Sequence, residues 1–224
     1  MAVQKYHIDY PVVLDNDYQT WRAYQNRYWP RKYLIDIDGF IVYDHIGEGN
    51  YGETESKIQE LLKERNAVLK ENTEISKGLI NPNTSQTDFS KIATPEIYFG
   101  YGFSRNQMGN KEGWKPEQTV EYAFPLAMQN NLFYLQGAWK NSHDFMESSG
   151  EGKIALKYTA KNVNLVAGSE QPANISIYLD GAMKKTITVH EEGLYPIITE
   201  PAYGTHTLEI AVPEGLKAYT FTFG

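Results

Sequence analysis

Residues 33–43 read YLIDIDGFIVY, two short apolar runs joined by an Asp-Gly dipeptide. Two β-rich runs separated by Asp38 and Gly39 are a strong signal for a hairpin with a two-residue turn. The turn accounts for Asp38, so we do not interpret Asp36 and Asp38 as paired carboxylates for glycoside hydrolysis. The sequence therefore predicts a hairpin with strands at 33–37 and 40–43.

The segments on both sides of this hairpin combine strand and helix patterns. Residues 11–14 are a short apolar run before Asp15, Asn16 and Asp17, which predicts a buried strand ending at a helix N-cap. A helix is expected at 18–25. Residues 53–70 place leucines and isoleucine at helical spacing among Glu and Lys, which predicts an amphipathic helix. Residues 1–70 are therefore predicted to form an α/β domain.

The second half of the chain has a different pattern. Residues 71–93 lose the apolar periodicity and include a polar stretch at 81–86, so we predict a linker there whose tip is the first site of proteolysis. Short β-rich runs follow at 132–139, 153–159, 162–166, 175–179, 185–189, 206–212 and 218–223. Runs of this kind predict an all-β sandwich or jelly roll over residues 94–224.

Composition excludes several functions. The formal charge of −7 disfavours nucleic acid and anionic membranes as partners. The chain has no Cys, so it cannot itself carry out dithiol redox chemistry or ligate a metal through thiolate. It has no apolar run of signal-peptide or membrane-spanning length, so we expect a soluble polypeptide with no export signal of its own and no membrane segment.

No catalytic residue, metal site or cofactor is predicted from motifs. The five histidines lack the HxxxH and HExxH spacings that place two ligands on one helix face. His45 and Glu48 belong to a strand-to-helix turn at 47–52, which lacks the Lys and Ser or Thr of a phosphate-binding loop. Glu121, Glu147 and Glu151 have no separation that the sequence fixes, so they define no catalytic pair.

Aromatic residues in the second half offer a candidate ligand site. A sugar or another flat ligand could stack on a platform formed by Tyr98, Tyr101, Phe103, Trp114 and Trp139. The alternative for each ring is core packing, because aromatic side chains in β-sandwiches mostly fill the space between the sheets.

Several longer motifs resemble one protein family. They are DYPVVLDND at 9–17, TWRAY at 20–24, NRYWP at 26–30, TPEIYFGY at 94–101, GAW at 137–139 and YTFTFG at 219–224. Together they resemble the DipZ-type proteins, bacterial thiol–disulfide and cytochrome c biogenesis proteins. In that family a thioredoxin-like domain outside the cytoplasm is followed by a carbohydrate-binding-like module.

The resemblance implies a partial thioredoxin-like fold at 1–70, followed by a jelly roll at 94–224. The family's Cys-x-x-Cys helix and its flanking strands precede the segment with which this sequence begins. Trp29 and Pro30 occupy the position of the cis-proline loop, which binds substrate peptides in thioredoxin-like folds. The family also implies a periplasmic or other extracytoplasmic location. Residues 1–70 would then pack against the second domain or a partner chain, or be the least stable part of the molecule.

These features of the sequence are compatible with two functions. The first is a redox-inactive binding protein whose β-sandwich takes a ligand or partner, a carbohydrate being one candidate. The second is one part of a thiol–disulfide oxidoreductase whose Cys-x-x-Cys half lies upstream or on another chain, acting on a protein thiol or disulfide. A sugar hydrolase has no motif behind it, and fold analogy alone is weak evidence for function.

Overall fold

The computed structural model describes residues 2–5, 7–78 and 89–224. The chain divides into two compact units, residues 1–85 and 86–224, which are considered separately here. Within the predicted linker at 71–93, the described residues 71–78 form no helix or strand, and Phe89–Lys91 form a 3-10 turn. The expected proteolytic site at 81–86 lies outside the described residues.

The described residues of the N-terminal unit form three helices and one two-stranded sheet. The helices are α1 (Ala2–Lys5), α2 (Gln19–Ala23) and α3 (Tyr51–Leu69), and the strands are β1 (Arg31–Ile35) and β2 (Ile41–Ile46). The two strands pair antiparallel, as the sequence predicts for the hairpin. The predicted amphipathic helix is confirmed as α3, and the predicted helix at 18–25 is confirmed in the shorter α2.

The hairpin turn is one residue longer than predicted. The N–H of Asp36 donates to the carbonyl oxygen of Phe40 at 2.9 Å, which closes a three-residue loop with Gly39 at φ +89°. The carboxylate of Asp36 accepts from the N–H groups of Asp38, at 3.0 Å, and Phe40, at 2.8 Å. Asp36 therefore organises the turn, because its short side chain can bond to the backbone two and four residues on.

The prediction of a buried strand at 11–14 is wrong. These residues lie in no strand, and Val12, Val13 and Leu14 are 51%, 76% and 84% exposed. An apolar run is buried only when another element covers it, and no described element of this unit covers residues 11–14. Indeed, no described hydrophobic side chain of the N-terminal unit is buried, whereas the whole buried core lies between Ile97 and Phe221.

The C-terminal unit is a single hydrogen-bonded network of nine strands. They are β3 (Ile97–Tyr98), β4 (Thr119–Tyr122), β5 (Phe133–Asn141), β6 (Met146–Ser148), β7 (Gly152–Gly168), β8 (Ala173–Leu179), β9 (Ala182–Val189), β10 (Gly193–Val212) and β11 (Lys217–Phe223). All seven predicted runs form strands, but the runs at 153–159 and 162–166 belong to the one long strand β7. The mostly β character of this unit is therefore confirmed.

The long strands β7 and β10 organise this network. They pair antiparallel along most of their length, with register shifts near the middle of β10. Strand β7 pairs with β5 through residues 153–156 and with β11 through residues 163–168. Because β6 also joins β5 to β11, the sheet closes on itself around one hydrophobic cluster. Alternating burial along β8 (Ala173–Leu179) shows the period of two that a half-buried strand requires.

Candidate functional site

The loop before β1 presents a residue with unused backbone groups. The peptide bond between Trp29 and Pro30 is cis. The carbonyl oxygen of Pro30 accepts from the N–H of Gly47 at 2.9 Å, which ties the loop to the end of β2. The N–H and carbonyl oxygen of Trp29 have no hydrogen-bond partner within the described part of the chain, and its side chain is 75% exposed. Trp29 can therefore offer one donor and one acceptor to another polypeptide.

Local hydrogen bonds fix the chain that leads into this loop. The carboxylate of Asp15 accepts from the N–H groups of Thr20, at 2.9 Å, and Trp21, at 2.8 Å. Both bonds stabilise the charged carboxylate, and the bond from Trp21 has the largest effect. They hold the pKa of Asp15 below its usual value. After α2, the N–H of Asn26 donates to the carbonyl oxygen of Trp21 at 2.9 Å. The position of Trp21 is thus set from both ends of the short helix.

Three aromatic side chains form a row that ends at the loop. The ring centroids of Tyr18 and Trp21 lie 6.3 Å apart, and those of Trp21 and Trp29 lie 4.8 Å apart, with both pairs edge to face. Tyr18 and Trp29 are exposed, while Trp21 is half-buried between them. The row forms an apolar surface next to the N–H and carbonyl oxygen of Trp29.

A cavity of about 300 Å³ is lined in part by Trp21. Its lining includes Val13, from the exposed apolar segment, and Tyr33, from β1 (Arg31–Ile35). Strand β1 pairs with β2 on one edge, and its other edge pairs with no described strand. The cavity is therefore bordered by a strand with one edge that no described strand pairs and by an exposed apolar segment that forms no strand.

The C-terminal unit has a larger polar groove, of about 560 Å³, across five neighbouring strands. It is lined by Glu121 on β4, Gln136 and Gly137 on β5, Glu151, Gly152 and Lys153 at the start of β7, Asn174 and Ser176 on β8, and Ala211, Val212 and Pro213 at the end of β10. No aromatic residue is among these lining residues.

Two glycines form the floor of the groove. Gly137 has φ +91°, and a Cβ there would lie 2.8 Å from the carbonyl oxygen of Glu151. A Cβ on Gly152 would lie 2.9 Å from the carbonyl oxygen of Gln136 and 3.1 Å from Nε1 of Trp139. The two strands approach so closely that only glycine fits, which leaves bare backbone facing the groove.

Four polar side chains around this floor have no partner among the described residues. Glu121, Gln136, Glu151 and Lys153 make no side-chain hydrogen bond or ion pair with any described residue. By contrast, Asn174 accepts from the hydroxyl of Thr188 at 2.8 Å. The groove therefore holds donors and acceptors that are available to a ligand. The sequence did not predict it, because strands far apart in the chain bring these residues together.

The structure separates the aromatic residues predicted as a platform. Trp139 is fully buried and donates from Nε1 to the carbonyl oxygen of Gln136, so it cannot stack on a ligand, and that prediction is wrong. Trp114 is half-buried against the core, where Nε1 donates to the carbonyl oxygen of Phe99. For both residues core packing, the alternative interpretation, holds.

Tyr98, Tyr101 and Phe103 do lie together at the surface, with His143 between two of them. The imidazole of His143 is 5.5 Å from the ring of Tyr101 and 5.4 Å from that of Phe103, centroid to centroid. Tyr98 and Phe103 are 6.3 Å apart. The hydroxyl of Tyr101 donates to Glu117 at 2.8 Å, and this bond raises the pKa of Tyr101. A ligand role for Tyr98 and Tyr101 stays a prediction.

The hydroxyl of one buried tyrosine has no hydrogen-bond partner among the described residues. Tyr158 on β7 is fully buried, and its hydroxyl makes no hydrogen bond with the described residues. Burial raises the pKa of Tyr158, and the nearby carboxylates of Asp180 and Glu200 act in the same direction. Tyr158 pairs across the ladder with His206, whose Nδ1 lies 2.7 Å from Oδ2 of Asp180.

No group of three or more His, Asp or Glu side chains in residues 2–5, 7–78 and 89–224 is arranged to hold a metal ion. No helix in the same ranges is both long and apolar enough to cross a bilayer.

Residues 94–224 match the family described as "Thioredoxin like C-terminal domain". Two curated relatives, each named Protein DipZ, come from Mycobacterium bovis and Mycobacterium tuberculosis, and each is 33% identical over 97% of this chain. The match covers 30% of each relative, so the chain spans about a third of their length.

Among solved structures, a family two carbohydrate esterase from Clostridium thermocellum in complex with cellohexaose is 14% identical. The similarity covers 36% of this chain and 27% of the esterase, with a TM-score of 0.34.

Proposed function

The chain belongs to the family of thioredoxin-like C-terminal domains, as a DipZ-type member, and on this premise we propose that its N-terminal unit is the substrate-recognition half of a thiol–disulfide exchange domain. The redox half, with its Cys-x-x-Cys, lies upstream or on another chain. By itself this polypeptide is redox-inactive, because exchange requires a thiolate and the sequence contains no Cys.

The observation that carries this proposal is the state of Trp29. Its N–H and carbonyl oxygen have no partner among the described residues, whereas the carbonyl oxygen of the adjacent Pro30 accepts from Gly47. An unpaired backbone donor and acceptor on one residue can pair with a peptide as a neighbouring strand would. This is the role that the resemblance to thioredoxin-like folds gives to Trp29 and Pro30.

The cavity between Val13 and Tyr33 supports the second part of the proposal. Strand β1 has an edge that pairs with no described strand, and the lining residue Val13 is exposed, so a strand of the redox half can pair with β1 beside the cavity. That strand would cover apolar surface that the described residues of this unit leave exposed. Burial of apolar surface contributes about 25 cal/mol per Å², so docking would stabilise the N-terminal unit.

The chemistry belongs to the redox half. One of its thiolates attacks a sulfur of the substrate disulfide, forming a mixed disulfide and releasing the other substrate sulfur as a thiolate. Its second Cys, as thiolate, then attacks the mixed disulfide, which leaves an oxidised Cys pair and a reduced substrate. The present chain contributes no sulfur and no electrons; it binds the substrate beside the reacting pair.

Reconstitution tests the proposal. Insulin reduction is measured with dithiothreitol as the source of electrons, for this chain alone, for a polypeptide carrying the Cys-x-x-Cys half, and for the two combined. We expect the chain alone to match the buffer blank and the combination to exceed the redox half alone. Equal rates with and without this chain would contradict the proposal. A protein thiol or disulfide outside the cytoplasm is the substrate that we propose.

A second candidate function concerns the C-terminal unit, which we propose is a jelly-roll binding module for a carbohydrate. The observation that favours it is the groove. Four of its polar side chains have no partner among the described residues, and two of its lining residues are glycines. A polyhydroxyl ligand can donate to Glu121 and Glu151 and accept from Lys153. Titration calorimetry with neutral oligosaccharides tests it, and a double substitution of Glu121 and Gln136 by Ala is expected to abolish binding. Unchanged affinity in that variant would exclude the groove.

A further inference from the structure

We propose that an aromatic surface of the C-terminal unit binds the guanidinium of an arginine on a partner polypeptide. The surface, which we term the aromatic patch, consists of Tyr98, Tyr101, Phe103 and His143. None of these four residues lines the polar groove, so the inference is independent of the carbohydrate proposal and of the proposal for Trp29.

The patch is built by two segments that pack closely, the loop after β3 and the turn between β5 and β6. The N–H of Gly102 in the loop donates to the carbonyl oxygen of His143 in the turn at 2.9 Å. The N–H of Tyr101 donates to the carbonyl oxygen of Ser142 at 3.3 Å. A Cβ on Gly102 would collide with the imidazole of His143, so glycine lets the two segments meet. The backbone that carries these rings is therefore fixed before a ligand binds.

The chain places one of its own cations on this patch. The guanidinium carbon of Arg105 lies 5.0 Å from the ring centroid of Tyr98, within the range of a cation–π contact. No described Lys or Arg lies over the rings of Tyr101 and Phe103, and Phe103 is 53% exposed. A guanidinium is planar and stacks on aromatic faces, so these two rings offer a place for a second one.

Carboxylates surround the patch. The hydroxyl of Tyr98 donates to Glu96 at 2.7 Å. The hydroxyl of Tyr101 donates to Glu117 at 2.8 Å, and Oδ1 of Asp144 lies 2.6 Å from Nδ1 of the imidazole. All three acidic residues are exposed, and the second oxygen of each glutamate has no partner among the described residues. An arginine that stacks on the rings can therefore also donate to a carboxylate, and such charge-assisted bonds are the strong ones.

The charge at the patch favours a cation over a neutral sugar. The hydrogen bond to Glu117 is the main cause of the raised pKa of Tyr101, and the negative charges of Glu117 and Asp144 add to it. The same negative charges attract a cation, whereas a neutral sugar gains no charge attraction from them. The formal charge of the whole chain, −7, acts in the same direction.

The size of the patch favours a polypeptide over free arginine. The ring centroids of Tyr98 and Phe103 lie 6.3 Å apart, and the imidazole continues the surface from Phe103 to Tyr101. One guanidinium covers only part of this surface, so apolar area remains for the residues on either side of the arginine. Contact with flanking residues is open to a peptide chain and not to the free amino acid.

Three seven-residue peptides test the inference. They differ only at the central residue, which is Arg, Lys or citrulline, flanked by Ala. Citrulline keeps the planar shape of arginine without its charge. Binding to the full chain is followed by ¹⁵N–¹H NMR through the amides of Gly102 and Phe103. We expect the Arg peptide to bind about tenfold more tightly than the citrulline peptide and about threefold more tightly than the Lys peptide. N-acetylarginine amide should bind more weakly than the Arg peptide.

Variants of the ring and of the carboxylate locate the site. Phe103→Ala should lower the affinity for the Arg peptide about fivefold, because it removes the most exposed ring of the patch. Glu117→Gln should also lower it, while leaving an oxygen to accept from the hydroxyl of Tyr101. Glu214→Gln is the matched control, because it removes the same charge at an exposed position in the turn before β11. It should leave the affinity unchanged.

The cation that the chain itself places on the patch provides a second test. Arg105→Gln frees the ring of Tyr98 and removes a like charge, so it should raise the affinity for the Arg peptide about twofold to threefold. A merely structural role of Arg105 would not raise it. A lowered or unchanged affinity in this variant would contradict the proposal.

Several results would overturn the inference. Equal affinities for the Arg and citrulline peptides would show that charge is not recognised, and a Lys peptide as tight as the Arg peptide would exclude selection of a guanidinium. Equal affinities for the Arg peptide and N-acetylarginine amide would exclude a polypeptide as the occupant. If cellobiose shifts the amides of Gly102 and Phe103 and no peptide does, the patch binds sugar instead. A patch that responds to neither is no binding site.

Discussion

The backbone N–H of Gly47 donates to the carbonyl oxygen of Pro30 at 2.9 Å, and so joins the loop before β1 (Arg31–Ile35) to the residue after β2 (Ile41–Ile46). This bond occupies the carbonyl oxygen of Pro30, whereas the N–H and carbonyl oxygen of Trp29 have no partner among the described residues. The proposed recognition loop is thus held by Gly47, 18 positions after Trp29, whose φ of +87° few other residues adopt.

The first prediction concerns that glycine. Gly47→Ala keeps the N–H but places a Cβ in the left-handed region, so we expect the N-terminal unit to lose about 1 kcal/mol of stability. Gly52→Ala is the control, since Gly52 lies in α3 (Tyr51–Leu69) with open space around its Cα, and it should gain about 0.5 kcal/mol. Urea unfolding followed by circular dichroism at 222 nm measures both. Shifts of the same sign would contradict the prediction.

The second prediction follows from the lowered pKa of Asp15. A carboxyl group whose pKa is depressed by folding contributes stability that is present above its unfolded pKa and is lost as pH falls through the folded one. We therefore expect the N–H resonances of Thr20 and Trp21 to titrate together, with a midpoint below the ordinary value of 3.8. In Asp15→Ala both resonances should be insensitive to pH in that range. A midpoint at or above 3.8 would show that the bonds do not form.

The third prediction concerns two buried tyrosines. The hydroxyl of Tyr158 has no partner among the described residues, so Tyr158→Phe should stabilise the C-terminal unit by about 1 kcal/mol. The hydroxyl of Tyr122 lies 2.9 Å from both the carbonyl oxygen of Gly113 and Oδ1 of Asn141, so Tyr122→Phe should destabilise it by about 1 kcal/mol. Thermal unfolding of the two variants tests both expectations. A loss of stability in Tyr158→Phe would contradict the first and would show that the hydroxyl binds a water or a ligand.

The fourth prediction tests the floor of the groove. In Gly137→Ala the new Cβ would meet the carbonyl oxygen of Glu151 at 2.8 Å, with φ in the left-handed region, so we expect a loss of about 2 kcal/mol. Gly150→Ala, at a position with nothing within 4 Å, should change stability by less than about 0.5 kcal/mol. Denaturant midpoints of the two variants provide the comparison. Equal midpoints would mean that β5 and β7 do not approach closely at Gly137.

Local patterns predicted the elements more successfully than they predicted burial. The hairpin at 33–43 and α3 are visible in the sequence because turn chemistry and helical periodicity act over a few residues. Val12 to Leu14 have the pattern of a buried strand, but their exposure depends on which segments lie beside them, and the sequence pattern contains no such information. The same limit applies to Trp139, whose aromatic character is compatible with either a binding platform or a core.

The groove was missed for a related reason. The sequence does not place Glu121 and Glu151 together, because sequence separation does not fix spatial separation. Pairing of β4 with β5 and of β5 with β7 brings them to one groove. Gly137 was the available signal, since a glycine inside a β-rich run indicates a bulge or a close approach of backbone.

Amide hydrogen exchange tests the central claim most directly, that the N-terminal unit is one half of a larger domain. In the chain alone, at low concentration, we predict that the amides of residues 33–43 exchange much faster than those of residues 153–159. After combination with the Cys-x-x-Cys half, the amides of β1 (Arg31–Ile35) and of residues 12–14 should become protected. Equal protection of the two ranges in the isolated monomer, with no change on combination, would contradict the account.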